Sequence, residues 1–200
     1  MTTDPLELTS RAEATHFWFR GFREFLTPVI RDLSRGRHDL RIIDCGCGTG
    51  TLAVMMKREV PEAVVRGVDI DAQVLALARK KISRAGLDVE VDRYDGSALP
   101  YGDASFDRVV SSLVFHHLEG GRKRAVLREI HRVLRRQGEI HLGDFGKPGN
   151  PAMRAVSLLL RLFEPIGENT EGLIPEYLAA AGFSKIKKGA SLNTWLGTLT

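Results

Sequence analysis

The sequence predicts a doubly wound α/β fold: a seven-stranded, mostly parallel sheet with an antiparallel edge strand and helices on both faces. Three observations lead there. Short β-branched runs alternate with stretches of helical spacing along most of the 200 residues. The first two runs, RIIDC (41–45) and AVVRGVDI (63–70), each carry an acid at the point where the chain leaves for a helix. The first run also breaks into glycines on alternate positions, CGCGTG (45–50), and a helix opens directly behind them. Strand, turn and helix repeated in this way build parallel βαβ units.

Taken in order, residues 10–34 predict a helix rich in aromatics, HFWFRGFREFL (16–26). Such a helix either packs on the sheet through Phe17, Phe22 and Phe25 or covers a ligand cleft, because ligands in these folds bind beyond the carboxyl ends of the strands. RIIDC is the first strand, and TLAVMMKREV (51–60) has Leu52, Met55 and Met56 on one helical face. AVVRGVDI is the second strand. DAQVLALARKKISRAG (71–86) follows as a helix capped by Asp71, apolar at Val74, Leu75, Ala78 and Ile82, and stopped by Gly86. DVEVDRY (88–94) alternates as a strand does, and SFDRVVSSLVF (105–115) is the fourth. RKRAVLREIHRVLRR (122–136) reads as an amphipathic helix ending at Gly138, before a fifth strand, EIHLGDF (139–145). Asn150-Pro151 opens a helix through about Phe163. EGLIPEYLAAAGF (171–183) is a further helix, and SKIKKGAS and NTWLGTLT read as a closing antiparallel hairpin at the sheet edge.

Composition narrows the class. Hydrophobic residues make up 43% and charged residues 27% of the chain, ordinary for a globular protein. The length suits one core and is short for two. No apolar run approaches the roughly 20 residues of a membrane span, and AVSLLLRLF (155–163) is interrupted by Arg161. The N-terminal residues lack the basic-then-apolar order of a secretion signal. Cys45 and Cys47 are the only cysteines, spaced C-x-C, so neither a disulfide framework nor a zinc ligand set is expected, and no metal. The expectation is a cytoplasmic, reduced, single-domain protein. A net charge of +4 permits an anionic partner without demanding one.

The glycine turn, as a strand end that opens a helix, brings backbone N–H groups to a crevice. Its spacing, Gly46-x-Gly48-x-Gly50, departs from the dehydrogenase fingerprint, and the Gly-Lys-Ser/Thr ending of a P-loop is absent. Context adds weight. Asp69 stands about 20 residues beyond the turn, where a carboxylate suits the two hydroxyls of a ribose. Ile70 can pack on an adenine face, Asp95 can accept from an adenine amino group beside Gly96, and Ser111-Ser112 ends the fourth strand at the same crevice. The site is thus expected to hold an adenosine cofactor, and the glycine spacing together with Asp95 disfavours NAD.

Here a resemblance appears. DCGCGTG, GVDID, YDGSALPYGDASFDRVVSS and LRRQGEIHLGDF, in this order and spacing, resemble the class I S-adenosylmethionine-dependent methyltransferases over about residues 40–145. The ALPYGDASFD loop, GDFGKP and the EYLAAAGF helix look like the ubiquinone/menaquinone-biosynthesis C-methyltransferases and related small-molecule enzymes. LRRQGEI departs from the Lys-Pro-Gly-Gly-like turn usual there. The resemblance implies a Rossmann-like sheet and S-adenosyl-L-methionine as cofactor. It implies that Thr49 and the backbone from Gly46 through Cys47 and Gly48 to Gly50 hold the methionine part, and that Asp44 orients its amino group. It gives the ribose to Asp69, the adenine to Asp95 and Gly96, and a place near the sulfonium to Ser112. The single domain then divides into a helical cap (1–38), a cofactor-binding core (39–146) and substrate-side helices with closing strands (147–200).

Methyl transfer needs alignment more than acid–base chemistry, and a base only where the acceptor must lose a proton. His116, with His117 beside it, and Asp144 at the end of the fifth strand are the candidates for that base; each alternatively packs or caps. The Asn/Asp-Pro-Pro-Tyr/Phe tetrapeptide of nucleobase methylation is absent after the fourth strand, which argues against DNA adenine methylation, and a nucleic-acid partner is not expected. Arg124, Arg128, Arg132 and Arg136 recur at four-residue spacing, a solvated face or an anionic contact, so peripheral membrane contact stays open. The expected function is methyl transfer to a small apolar or aromatic acceptor. Methylation of RNA or protein, or cofactor binding without catalysis, are the alternatives, and oligomeric state is not legible.

Overall fold

A computed structural model describes residues 27–28, 30–32, 36–37, 39–148 and 167–189, and the backbone at 192–194 and 197–199. The aromatic segment 16–26 and the helix expected over 151–163 lie outside the described residues. Five parallel strands form the sheet: β1 (Arg41–Cys45), β2 (Val64–Asp69), β3 (Val89–Arg93), β4 (Phe106–Ser112) and β5 (Leu134–Gly143), in the spatial order β3-β2-β1-β4-β5. The chain winds outward from β1 to β3, then returns to the other side of β1 for β4. The reversal opens a crevice beyond the carboxyl ends of β1 and β4, the position where such sheets bind ligands.

Both faces of the sheet are covered, which explains strands that are apolar on consecutive residues. Ile43, Cys45 and Val109 face one cluster with Phe106, Phe115, Leu127, Ile130 and Val133. Ile42, Val65 and Val110 face the other with Ile30, Leu40, Leu52, Ala53 and Met56. The helix α1 (Thr51–Glu59) serves the second cluster, with Met55 only half-buried. In α2 (Ala72–Ala85), Asp71 caps as expected: its Oδ1 accepts from the N–H of Gln73 at 2.7 Å and of Val74 at 3.2 Å. Gly86 ends that helix in the left-handed region at φ 63°.

Two expectations are corrected. Among the described residues the sheet has five strands, not seven. Residues 184–189 form no strand, because Ile186 stands between Lys185, Lys187 and Lys188 and offers no apolar face to bury. β6 (Leu192–Thr194) and β7 (Gly197–Leu199) pair antiparallel with each other, in a separate ladder and not on the sheet edge. The helix α3 (Gly120–Val133) also ends three residues early. Leu134 is drawn into the ladder opposite Phe106, and pairing resumes with Glu139 opposite Arg108, so residues 135–138 bulge from the edge strand.

Of the arginine stripe, Arg124, Arg128 and Arg136 are exposed, and Arg132 is engaged within the protein. Arg132 donates to Glu129, to Asp103 and to the carbonyls of Leu99 and Tyr101, and Glu129 accepts the Leu99 amide at 2.9 Å. This group clamps the loop between β3 and β4. Arg135 donates to both oxygens of Asp107 at 3.0 and 2.9 Å, and Asp107 also accepts the Arg41 amide, joining the amino ends of β1, β4 and β5. Burial pulls the Asp107 carboxyl up, but the Arg41 amide and the Arg135 and Arg37 guanidiniums outweigh it and hold it below its ordinary value.

Gly67, in the middle of β2, leaves the space in which Cys47 seats. A Cβ there would lie 2.9 Å from Cys47 Sγ and 3.0 Å from Val91 Cγ1. Gly67→Ala is therefore expected to destabilise the protein by about 1–3 kcal/mol through overpacking. Urea unfolding measures it, and an unchanged midpoint would remove this packing account.

Candidate active site

The turn after β1 folds back over the end of β2. The Gly46 and Cys47 amides both donate to the Val68 carbonyl, at 2.8 and 3.0 Å, and the Gly48 amide donates to Asp69 Oδ2 at 2.9 Å. The Gly50 amide closes on the Cys47 carbonyl at 2.8 Å. Gly46, Gly48 and Gly50 all have left-handed backbone (φ 77°, 53° and 77°), which accounts for glycine at every second position. A side chain at Gly46 would overlap Val114, and one at Gly50 would press on Ala78 of α2 at 3.1 Å. Cys47 contributes backbone only, since its side chain is buried with Val54, Leu75 and Val91. Burial pushes both cysteine thiols up, and the charges of Asp44 and Asp69 add to it, so they are unreactive at neutral pH.

Behind the turn lies Asp44, 1% exposed. Among the described residues its Oδ2 has no hydrogen-bond partner. Burial, and then the charge of Asp69, push its carboxyl up to about 7, although the Ala53 amide donates to it and pulls the other way. Ser112 Oγ, at the end of β4, is likewise buried and unpartnered, whereas its neighbour Ser111 donates to the Cys45 carbonyl at 2.7 Å. Two buried polar atoms left open at the same sheet edge mark groups prepared for a ligand. A cationic ammonium fits the carboxylate.

The adenosine candidates also converge. Asp69 is half-buried, accepting the Gly48 amide on Oδ2 and the Asp71 amide on Oδ1 at 3.0 Å. It is therefore oriented by the turn and by the start of α2 at once. Ile70 is 53% exposed, a large apolar side chain held in the open, and it borders Gly96, where an added Cβ would lie 3.6 Å from Ile70 Cγ2. Asp95 accepts from Ser97 Oγ at 2.5 Å and from the Ser97 amide at 2.9 Å, which holds its carboxyl below the ordinary value. A flat apolar wall beside an ionised carboxylate suits an aminopurine.

On the other side of the crevice, sequence reading treated His116 and Asp144 as separate candidates. The structure pairs them. His116 Nδ1 lies 2.8 Å from Asp144 Oδ1, and the His116 amide donates to Asp144 Oδ2 at 3.2 Å. The Phe145 amide donates to Oδ1 at 2.7 Å, and the Phe145 ring meets the imidazole edge to face at 4.9 Å. Both side chains are buried. Leu113, with a left-handed φ of 57°, turns the chain out of β4 into a short 3-10 turn (Phe115–His117) that carries His116 back over β5. His117 is exposed beside it. Sequence reading also missed Lys81, whose Nζ donates to Thr49 Oγ1 at 2.9 Å and Thr51 Oγ1 at 2.6 Å. It sits one helical turn beyond Ala78, the residue Gly50 packs on, so the packing of α2 against the turn brings it there.

Residues 42–138 match the family model described as a methyltransferase domain. A demethylmenaquinone methyltransferase of Thermus thermophilus is 36% identical over 125 residues, which is 62% of this chain and 56% of that protein. The ubiquinone/menaquinone biosynthesis C-methyltransferase UbiE of Bdellovibrio bacteriovorus is 34% identical over 116 residues, 58% of this chain and 48% of that one. The chain spans about half the length of these curated relatives. The apo structure of the S-adenosylmethionine-dependent methyltransferase SibL shares the fold, with a TM-score of 0.70 at 22% identity over 95% of this chain and 60% of that one.

Asp44 gives a testable pH dependence. Its folded value of about 7 lies above the ordinary 3.8. Its contribution to stability is therefore complete below about pH 4 and is lost as pH rises through about 7, on the order of 4 kcal/mol. Asp44→Asn is expected to flatten that slope and to leave the ligand-free protein more stable than the parent at pH 8. Urea unfolding of both proteins at pH 5 and pH 8 measures this; parallel slopes would show that Asp44 is not buried as a charge.

Proposed function

From the match of residues 42–138 to the methyltransferase-domain model, we propose that the protein is an S-adenosyl-L-methionine-dependent methyltransferase. Its acceptor, on this reading, is a small apolar aromatic molecule bearing a hydroxyl. The observation that carries the reading is the buried His116–Asp144 pair across the sheet edge from the open Asp44 and Ser112 atoms. When bound, S-adenosylmethionine supplies an electrophilic methyl group on a positively charged sulfur. Asp44 would take its ammonium group, Thr49 and the turn its methionine chain, Asp69 its ribose, and Ile70, Asp95 and Gly96 its adenine. Ser112 would line the crevice near the sulfur.

Asp144 occupies the Nδ1 side of His116, which leaves Nε2 to accept a proton. A hydroxyl on an aromatic ring is the group such a base serves. Its deprotonation places negative charge on the oxygen and on the adjacent ring carbons, and either becomes a nucleophile. The relatives named for menaquinone and ubiquinone methylation support a hydroquinone among such acceptors. RNA as acceptor loses support because Arg132 is engaged with the loop between β3 and β4 and the Arg124 guanidinium lies over the Tyr177 ring at 5.1 Å.

Transfer of labelled methyl from the cofactor to 1,4-naphthohydroquinone, a lipid extract, total RNA and total protein tests the proposal. Label is expected in the first two, and label confined to RNA or protein would overturn it. His116→Ala is expected to lower kcat by roughly 10²–10⁴-fold while S-adenosylhomocysteine affinity, followed by calorimetry, holds. Asp69→Ala should show the reverse pattern, with cofactor binding lost; undiminished affinity would remove the ribose assignment.

A further inference from the structure

The sheet divides the site, with most cofactor candidates at the ends of β1, β2 and β3, Ser112 at the end of β4, and the His116–Asp144 pair just beyond β4 and β5. A short helix, α4 (Gly167–Glu171), packs on the 3-10 turn that carries His116. It is held firmly for its size. Glu168 Oε2 accepts from Lys123 Nζ at 2.8 Å, and Lys123 is completely buried. Glu168 Oε1 accepts from the Tyr177 hydroxyl at 3.0 Å, Tyr177 belonging to the following helix, α5 (Ile174–Ala180). Gly120, the first residue of α3, lies against this group: a side chain there would meet Glu168 Oε1 and the Tyr177 hydroxyl.

The residue after this anchor is Asn169. It is 1% exposed, and among the described residues neither Oδ1 nor Nδ2 has a hydrogen-bond partner. A buried amide with both ends unmet is disfavoured, and an apolar side chain of the same shape would avoid that penalty. Its neighbour Glu168 fixes the helix, so the burial of Asn169 is built in and not incidental. We infer that Asn169 is a specificity determinant for the acceptor: its amide meets a hydroxyl or carbonyl oxygen of the molecule presented to His116. The amide can donate to either oxygen and can accept from a hydroxyl, so it discriminates an oxygenated aromatic ring from a bare hydrocarbon.

The inference rests on the acceptor reading proposed above, and its test keeps the two apart. Asn169→Leu and Asn169→Ala are compared with the parent in three measurements: thermal unfolding without ligand, S-adenosylhomocysteine affinity, and methyl transfer to 1,4-naphthohydroquinone. The leucine variant is expected to unfold at the parental temperature or above and to bind S-adenosylhomocysteine unchanged. Both variants should show KM for the hydroquinone raised by about ten-fold or more. A lowered unfolding temperature in the leucine variant, or its failure to fold, would show that the amide is structural and would overturn the inference. An unchanged KM in the alanine variant would do the same. If the parent protein leaves 1,4-naphthohydroquinone unmethylated, the hydroquinone reading falls. The unfolding comparison, and transfer to whichever fraction the parent labels, then decide Asn169.

Discussion

Three consecutive amides, those of Gly46, Cys47 and Gly48, are committed to the end of β2, two on the Val68 carbonyl and one on Asp69. Most of the site follows from this anchor. It bends the chain so sharply that left-handed backbone is needed at Gly46, Gly48 and Gly50. It drives Cys47 inward against Gly67, and sets the axis on which α1 departs. It also orients Asp69, whose second oxygen is taken by the start of α2, so that one carboxylate registers two βα units. Most of the turn's amides are thereby used within the protein. The buried polar atoms beside it that have no partner among the described residues are Asp44 Oδ2 and Ser112 Oγ.

The same anchor places two carboxylates, Asp44 and Asp69, at one strand edge, one of them fully buried and, among the described residues, without a compensating cation. Such an arrangement opposes the stability of the ligand-free protein and favours a positively charged guest. The His116–Asp144 pair is different in kind. It is self-sufficient, with each Asp144 oxygen accepting from the chain around it. One half of the sheet edge thus holds buried polar atoms without partners among the described residues, and the other is paired within the protein. That contrast supports the proposed division of the site between a cationic cofactor on one side and an acceptor on the other.

Local signals were legible where one residue's chemistry decides the backbone. Asp71 as a cap, Gly86 as a stop and the glycines of the turn act through their own conformations and nearest neighbours, and the structure places them as expected. The runs ending in Asp69 and at Ser112 were legible because strands buried on both faces must be apolar. The end of α3 was not, since Val133, Leu134 and Arg135 continue a helical pattern and only the ladder partner Phe106 takes Leu134 out of it. Of the arginine stripe, Arg124, Arg128 and Arg136 are exposed as a solvated face requires, and only the engagement of Arg132 with Asp103, 29 positions earlier, was not legible.

The sequence by itself determined the order of the elements, the glycine turn and the strand ends at which Asp44, Asp69, Asp95 and Ser112 gather, because these depend on spacing and local backbone preference. Only the tertiary structure decided that the sheet has five strands among the described residues, that His116 and Asp144 are partners 28 residues apart, and that Gly67 exists to admit Cys47. It alone exposed the open amide of Asn169. These features depend on which surfaces meet once strands pair and helices cover them, and the free energy of that meeting belongs to contacts between residues far apart in the chain.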